Sequence, residues 1–153
     1  MAKKIKIDKV DKTIIQRLIE DARTPVLSIA REIGISGAAI HQRLRKLEST
    51  DLIDGYKMTL NPKALGYTTT AFVGIFLESA TYYNDAIKKL KGIPEVIESH
   101  YTTGNYAVFV KVLCKDNENL MHILNKEIQS ITGVSRTETF ISLDQQIDRQ
   151  IKL

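Results

Sequence analysis

The chain has 153 residues, 43% hydrophobic and 26% charged, an ordinary globular balance that excludes a disordered or fibrous protein. No apolar stretch reaches the ~18 residues of a membrane span, and the basic N-terminus is not followed by the apolar core of a secretory signal. The net charge of +4 lies entirely in residues 1–60, with 12 Lys/Arg against 8 Asp/Glu, while residues 61–153 carry 10 of each.

In chain order, Val10, Ile14, Ile15, Leu18 and Ile19 recur at helical spacing. Asp8 or Asp11 caps that helix, and Ala22-Arg23-Thr24-Pro25 ends it. Thr24 caps the next helix, with Pro25 at its first position and Val26, Ile29, Ala30 and Ile33 as its buried stripe. Gly34 stops it. Ser36 caps a third helix that buries Ile40, Leu44 and Leu47. Leu52 to Leu60 reads as extended, as a hairpin or wing, and Asn61-Pro62 breaks the chain. The expected domains are residues 1–60, a linker at 61–66, and residues 67–153.

The second part alternates. Ala71 to Leu77 is a strand run. Tyr83, Ala86, Ile87 and Leu90 fit a helix ended by Gly92. Val96 to Tyr101 is extended, and Thr102-Thr103-Gly104-Asn105 is a turn. Tyr106 to Leu113 is a strand with Tyr106, Val108, Val110 and Val112 on one face. Asn117 caps a helix with Leu120, Leu124, Ile128 and Ile131 inward, and Gly133 closes it. Val134 to Leu143 is the last strand. The order βαββαβ is a ferredoxin-like sheet, so the fold class is α+β with a helix-turn-helix ahead of it. Cys114 lies in an apolar run and reads as core. A lone cysteine suits a reducing cytoplasm and leaves no internal disulfide.

The second and third helices carry the features of a helix-turn-helix. Ala30 is small where two backbones must approach. Gly34, four positions later, tolerates the left-handed turn, and Ile40 closes the joint six further on. The outward face of the third helix then holds Ser36, Gly37, Ala38, His41, Gln42, Arg45 and Lys46. Gly37 and Ala38 allow close approach to base edges. Gln42 has the geometry for adenine and Arg45 for guanine, each through two hydrogen bonds. His41 suits a base or a phosphate. Arg43 and Lys46 suit phosphates, as do Thr24, Ser28 and Arg31 on the preceding helix. The plain alternative is a solvated polar face in a small bundle, against which stand the joint and the basic first sixty residues.

At the turn, Gly104 frees the backbone for positive φ and leaves N–H groups open to a carboxylate. Thr102, Thr103 and Asn105 add polar groups for a small ligand. The plain alternative here is a hairpin turn and nothing more. No catalytic site emerges. His41, His100 and His122 are scattered, no cluster has metal-ligand spacing, and no nucleophile, phosphate-loop or dinucleotide motif is present, so no cofactor is expected.

These segments together resemble the Lrp/AsnC (feast/famine) transcriptional regulators. The resemblance is carried by Val10-Asp11-Lys12-Thr13-Ile14-Ile15, Ala22-Arg23-Thr24, Ile33-Gly34-Ile35-Ser36, Leu65-Gly66-Tyr67, Tyr101-Thr102-Thr103-Gly104-Asn105-Tyr106 and Thr137-Glu138-Thr139. The Tyr-Thr-Thr-Gly segment and residues 109–114 look most like the asparagine-sensing branch. The resemblance implies a winged-type DNA-binding domain on double-stranded DNA, a ferredoxin-like effector domain, dimers assembling into octamers, and a small amino acid bound between effector domains. It places the effector against Tyr101 to Tyr106 and Ala107, with Thr139, Phe140 and Ser142 lining the pocket from a neighbouring strand. Many relatives carry a carboxylate just after the turn glycine. Gly104-Asn105-Tyr106-Ala107 has none, which leaves backbone carbonyls or Glu138 to meet an ammonium group. Two other readings stand beside a ligand-responsive regulator: an architectural protein that wraps DNA with weak sequence preference, and a ferredoxin-like metabolite-binding protein whose N-terminal bundle serves assembly.

Overall fold

Helical spacing near the N-terminus produces α1 (Lys9–Glu20), α2 (Val26–Ile33) and α3 (Gly37–Glu48). The computed structural model describes residues 5–50 and 52–153. Residues 1–4, part of the basic N-terminus, and Asp51 lie outside the described residues. The chain falls into two units. One holds residues 1–59 together with Ile147–Leu153, the other Leu60–Gln146. The sequence alone groups these last seven residues with the second unit.

Asp8 starts α1. Its carboxylate accepts the Asp11 N–H at 2.8 Å, and the Asp8 N–H donates to the Asp11 carboxylate at 3.1 Å, a reciprocal capping box built from two aspartates. Thr24 does not cap α2. Its hydroxyl donates to the Asp21 carbonyl at 2.8 Å, which closes the turn after α1, and Pro25 occupies the cap position with no side-chain bond. Ser36 caps α3 by accepting from the Ala39 N–H at 3.2 Å. Ile14, Ile29 and Ile40 are fully buried where the three helices meet, with Ala30 and Leu44 beside them. Each such burial contributes roughly 1.5–3 kcal/mol against exposure.

The wing expected over Leu52 to Leu60 is not formed, since no strand pairing occurs there among the described residues. Nine residues make at most a two-stranded ribbon, which is marginal without a third strand or a packed face. Tyr56, Met58 and Leu60 are accordingly exposed.

The second unit runs β1 (Thr69–Leu77), α4 (Tyr83–Leu90), β2 (Val96–Tyr101), β3 (Val108–Cys114), α5 (Asn117–His122) and β4 (Val134–Ser142). The sheet order is β2-β3-β1-β4 and every pair is antiparallel, as a ferredoxin-like βαββαβ unit requires. Ala71, Val73, Ile75, Val108, Val110, Val112 and Cys114 are fully buried, packed against Ala86, Leu90, Leu120 and Ile128 of the helical layer. Burial pushes the Cys114 thiol up to about 11, as befits a core residue. The α5 cap is Asp116, whose carboxylate accepts the Asn119 N–H at 2.7 Å, one residue before the expected Asn117. The helix continues as a π-helical stretch, Ile123–Ile128. Its wider turn buries Ile123, which the regular period had missed, and leaves Leu124 half-buried. Among the described residues, no helix is long and apolar enough to cross a membrane.

Strand alternation puts Phe72, Gly74 and Phe76 of β1 on the opposite face, with Phe109 of β3 and Phe140 of β4. Tyr106 joins them there, half-buried, and does not share the face of Val108 and Val110. It precedes the ladder of β3, and its ring stacks on Phe109 at 5.8 Å and meets Phe76 edge-on at 5.1 Å.

Candidate nucleic-acid interface and effector turn

The turn between α2 and α3 is built on Gly34, which takes φ 81°. Its N–H and that of Ile35 both bond to the Ala30 carbonyl, at 2.9 and 3.1 Å, in the left-handed ending that glycine adopts without a Cβ penalty. This geometry aims the N-terminal end of α3 outward. Ile40, Leu44 and Leu47 turn inward, so Ala38, His41, Gln42 and Arg45 form one exposed stripe at i, i+3, i+4 and i+7. Ser36 and Lys46 flank it and are exposed, as are Ser28 and Arg31 on α2, while Thr24 is half-buried. Gly37 has a packing reason as well. A Cβ there would lie 3.0 Å from the Leu27 side chain.

Arg43 departs from its expected role as a phosphate contact. Its Nη1 bonds Asp8 at 2.6 Å and Asp11 at 2.7 Å, tying α3 to the start of α1. A buried carboxylate such as Asp11 needs that cation, so the guanidinium is held within the unit. By contrast, Arg45 and Lys46 make no ion pair among the described residues.

The Asp8 carboxyl is held below its ordinary value of 3.8, first by the Asp11 N–H and then by Arg43. Its ionised form therefore stabilises the folded unit above pH 3.8, and that contribution is lost as the pH falls through the lower folded value. Arg43→Ala is expected to raise the Asp8 titration point toward 3.8 and move acid unfolding of this unit to higher pH, read by carboxyl NMR titration. An unmoved Asp8 titration would show the bridge to be electrostatically idle.

In the second unit, Tyr101 to Ala107 connects β2 to β3. The Thr102 hydroxyl donates to the Tyr106 carbonyl and the Thr102 N–H to the Ala107 carbonyl at 3.3 Å. Thr103, Gly104 and Asn105 are left exposed between these ties. Gly104 does not take the positive φ expected of it, and nothing lies within 4 Å of where its Cβ would be. The Tyr101 ring packs on Tyr83 of α4 at 4.6 Å.

Within one chain the four β4 positions lie along the β1 edge of the sheet. Thr139, Phe140 and Ser142 pair with Val73, Phe72 and Thr70 of β1, and β1 separates β4 from β3. Glu138 alone reaches the turn segment, and it arrives already partnered. Its Oε2 accepts the Tyr106 hydroxyl at 2.7 Å and its Oε1 meets Arg136 at 3.3 Å. The hydrogen bond to Glu138 is the main reason the Tyr106 phenol is pushed up from its ordinary value. Arg136 also lies over the Phe76 ring, 3.9 Å from its centre.

The AsnC-type helix-turn-helix domain matches residues 7–48, and the Lrp/AsnC ligand binding domain matches residues 70–151. The chain belongs to the Lrp/AsnC family of transcriptional regulators. Regulatory protein AsnC of Escherichia coli is 40% identical over 146 residues, 95% of this chain and 96% of that protein. The solved E. coli AsnC structure superposes with a TM-score of 0.92, covering 97% of this chain and 100% of that one. Regulatory protein AsnC of Haemophilus influenzae is 41% identical over 95% of this chain and 97% of that protein. A feast or famine regulatory protein from M. tuberculosis, solved in complex with L-methionine, is 29% identical with a TM-score of 0.86 and covers 97% of this chain and 100% of that one. Within this Lrp/AsnC member, Gly74 was the signal that sequence reasoning passed over. A glycine inside a strand of branched and aromatic residues marks a close approach, here that of Tyr106.

Proposed function

We propose that this Lrp/AsnC regulator reads operator DNA with the α3 stripe Ala38, His41, Gln42 and Arg45, and that a small amino acid, asparagine first among them, tunes it through the Tyr101–Ala107 turn. The observation that carries the DNA reading is the single exposed stripe beside the Gly34 turn, with Arg45 and Lys46 unengaged by any ion pair among the described residues. Arg45 and Gln42 contact bases. Ser28, Arg31, Ser36 and Lys46 contact phosphates and set the register of the helix on the groove. Thr24 and Gly37 act through the backbone at the two helix starts. Arg43 serves indirectly, by holding α3 on α1.

Lys46→Ala is expected to weaken binding to all DNA alike and to lower the slope of log K against log salt by about one unit, since one counterion fewer is released. An unchanged salt slope would remove Lys46 from the interface.

For the effector, the exposed Thr103, Gly104 and Asn105 offer N–H, hydroxyl and amide groups to an amino acid's main chain. Support comes from the matched ligand binding domain and from the methionine-bound relative. Pairs of chains associate through the sheet and build toward octamers, so the ligand acts by its differing affinity for assembly states. Calorimetry with each of the twenty amino acids at millimolar concentration decides this. Absence of heat for all of them sinks the sensing role.

A further inference from the structure

The effector turn is fastened from β4, across β1. Thr102 ties the turn to the Tyr106 carbonyl, and the next residue, Ala107, donates its N–H to the Ile75 carbonyl of β1 at 3.0 Å. From there the Tyr106 side chain lies across β1 at Gly74. A Cβ on Gly74 would stand 2.4 Å from the ring, so the ring occupies the space that a side chain would fill. Beyond β1 the hydroxyl reaches Glu138, which faces Gly74 in the β1–β4 register. Arg136 holds the other oxygen of Glu138 and caps Phe76, and Phe76 in turn meets the Tyr106 ring.

We propose that Tyr106 and Glu138 are positioning residues: a strut across the Gly74 gap that holds the 102–105 turn in shape for its ligand, and not contacts to the ligand. The inference rests on reading the turn as an amino-acid site. It reverses the role that Glu138 would have as a partner for the ammonium group. The Glu138 carboxylate turns one oxygen to the phenol and the other to a guanidinium, so the strut sets its orientation, and among the described residues the charged groups acting on the phenol are that carboxylate and its arginine.

Three variants of the full chain test this: Tyr106→Phe, Glu138→Leu and Gly74→Ala. The first removes the donor of the hydrogen bond and the second its acceptor. The third leaves both partners in place and evicts the ring. Amide hydrogen exchange of the unliganded protein at residues 102–107 is expected to rise about tenfold in all three, as for loss of a hydrogen bond to a charged group. Asparagine affinity, by calorimetry, is expected to fall by a similar factor in Tyr106→Phe and Glu138→Leu, with the double variant no worse than either alone. Unchanged exchange at the turn in Tyr106→Phe overturns the strut, whether or not Gly74→Ala folds. Loss of affinity in Glu138→Leu alone, with Tyr106→Phe binding normally, returns Glu138 to the ligand and also overturns it. If the wild-type protein binds no asparagine, the amino-acid reading fails, and the exchange experiment still decides whether the strut shapes the turn.

Discussion

Arg45→Ala will lower the preference for a selected DNA site over random DNA by roughly 5- to 150-fold, the ~1–3 kcal/mol that one bidentate guanine contact contributes. The guanidinium is exposed on α3, one turn beyond His41 and Gln42, and no acidic group competes for it among the described residues. Binding to random DNA should weaken much less, because only the general attraction to phosphate is lost there. The measurement is a pair of titrations at one stated salt concentration, on selected and random duplexes. A preserved ratio between them would mean that the stripe does not read bases, and would favour a wrapping protein of weak sequence preference. Lys46→Ala serves as the control, since it should change both titrations together.

Ile40→Ala will destabilise the helix-turn-helix unit by about 2–5 kcal/mol. Ile40 is fully buried and packs with Ile14, Ile29, Ala30 and Leu44, so truncation leaves a cavity at the point where all three helices meet. Denaturant unfolding followed by a probe in residues 5–50 should show an earlier midpoint, while β1 to β4, whose core shares no residue with this cluster, keep theirs. DNA binding should be lost in step with folding and recover where ligand or temperature restores the fold. A midpoint shifted by less than the equivalent of ~1 kcal/mol would contradict the assignment of Ile40 as the centre of the joint.

The joint was legible because each of its requirements is local. A small residue, a left-handed glycine and an apolar closure fall at set spacings along one chain segment, and the structure realises them at Ala30, Gly34 and Ile40. The alternating valines of β3 and the order of strands and helices were legible for the same reason: periods of two and 3.6 residues are properties of sequence. Cap positions were less so. Thr24 and Asn117 had the right chemistry, yet Pro25 and Asp116 stand at those starts, because neighbouring residues compete for one cap and the winner depends on turn geometry.

What the chain determined by itself, then, is its list of elements, its α+β class, the helix-turn-helix joint and the family to which these belong. The tertiary structure alone decided which polar groups remain available. Arg43 and Arg45 are alike in sequence, two residues apart on one helix, but α1 presents Asp8 and Asp11 to the first and nothing to the second. Glu138 and Tyr106 are 32 residues apart and meet because β1 offers a glycine between them. Such pairings arise from sheet order and from the space left by a missing side chain. Both are long-range consequences of packing, which no local period records.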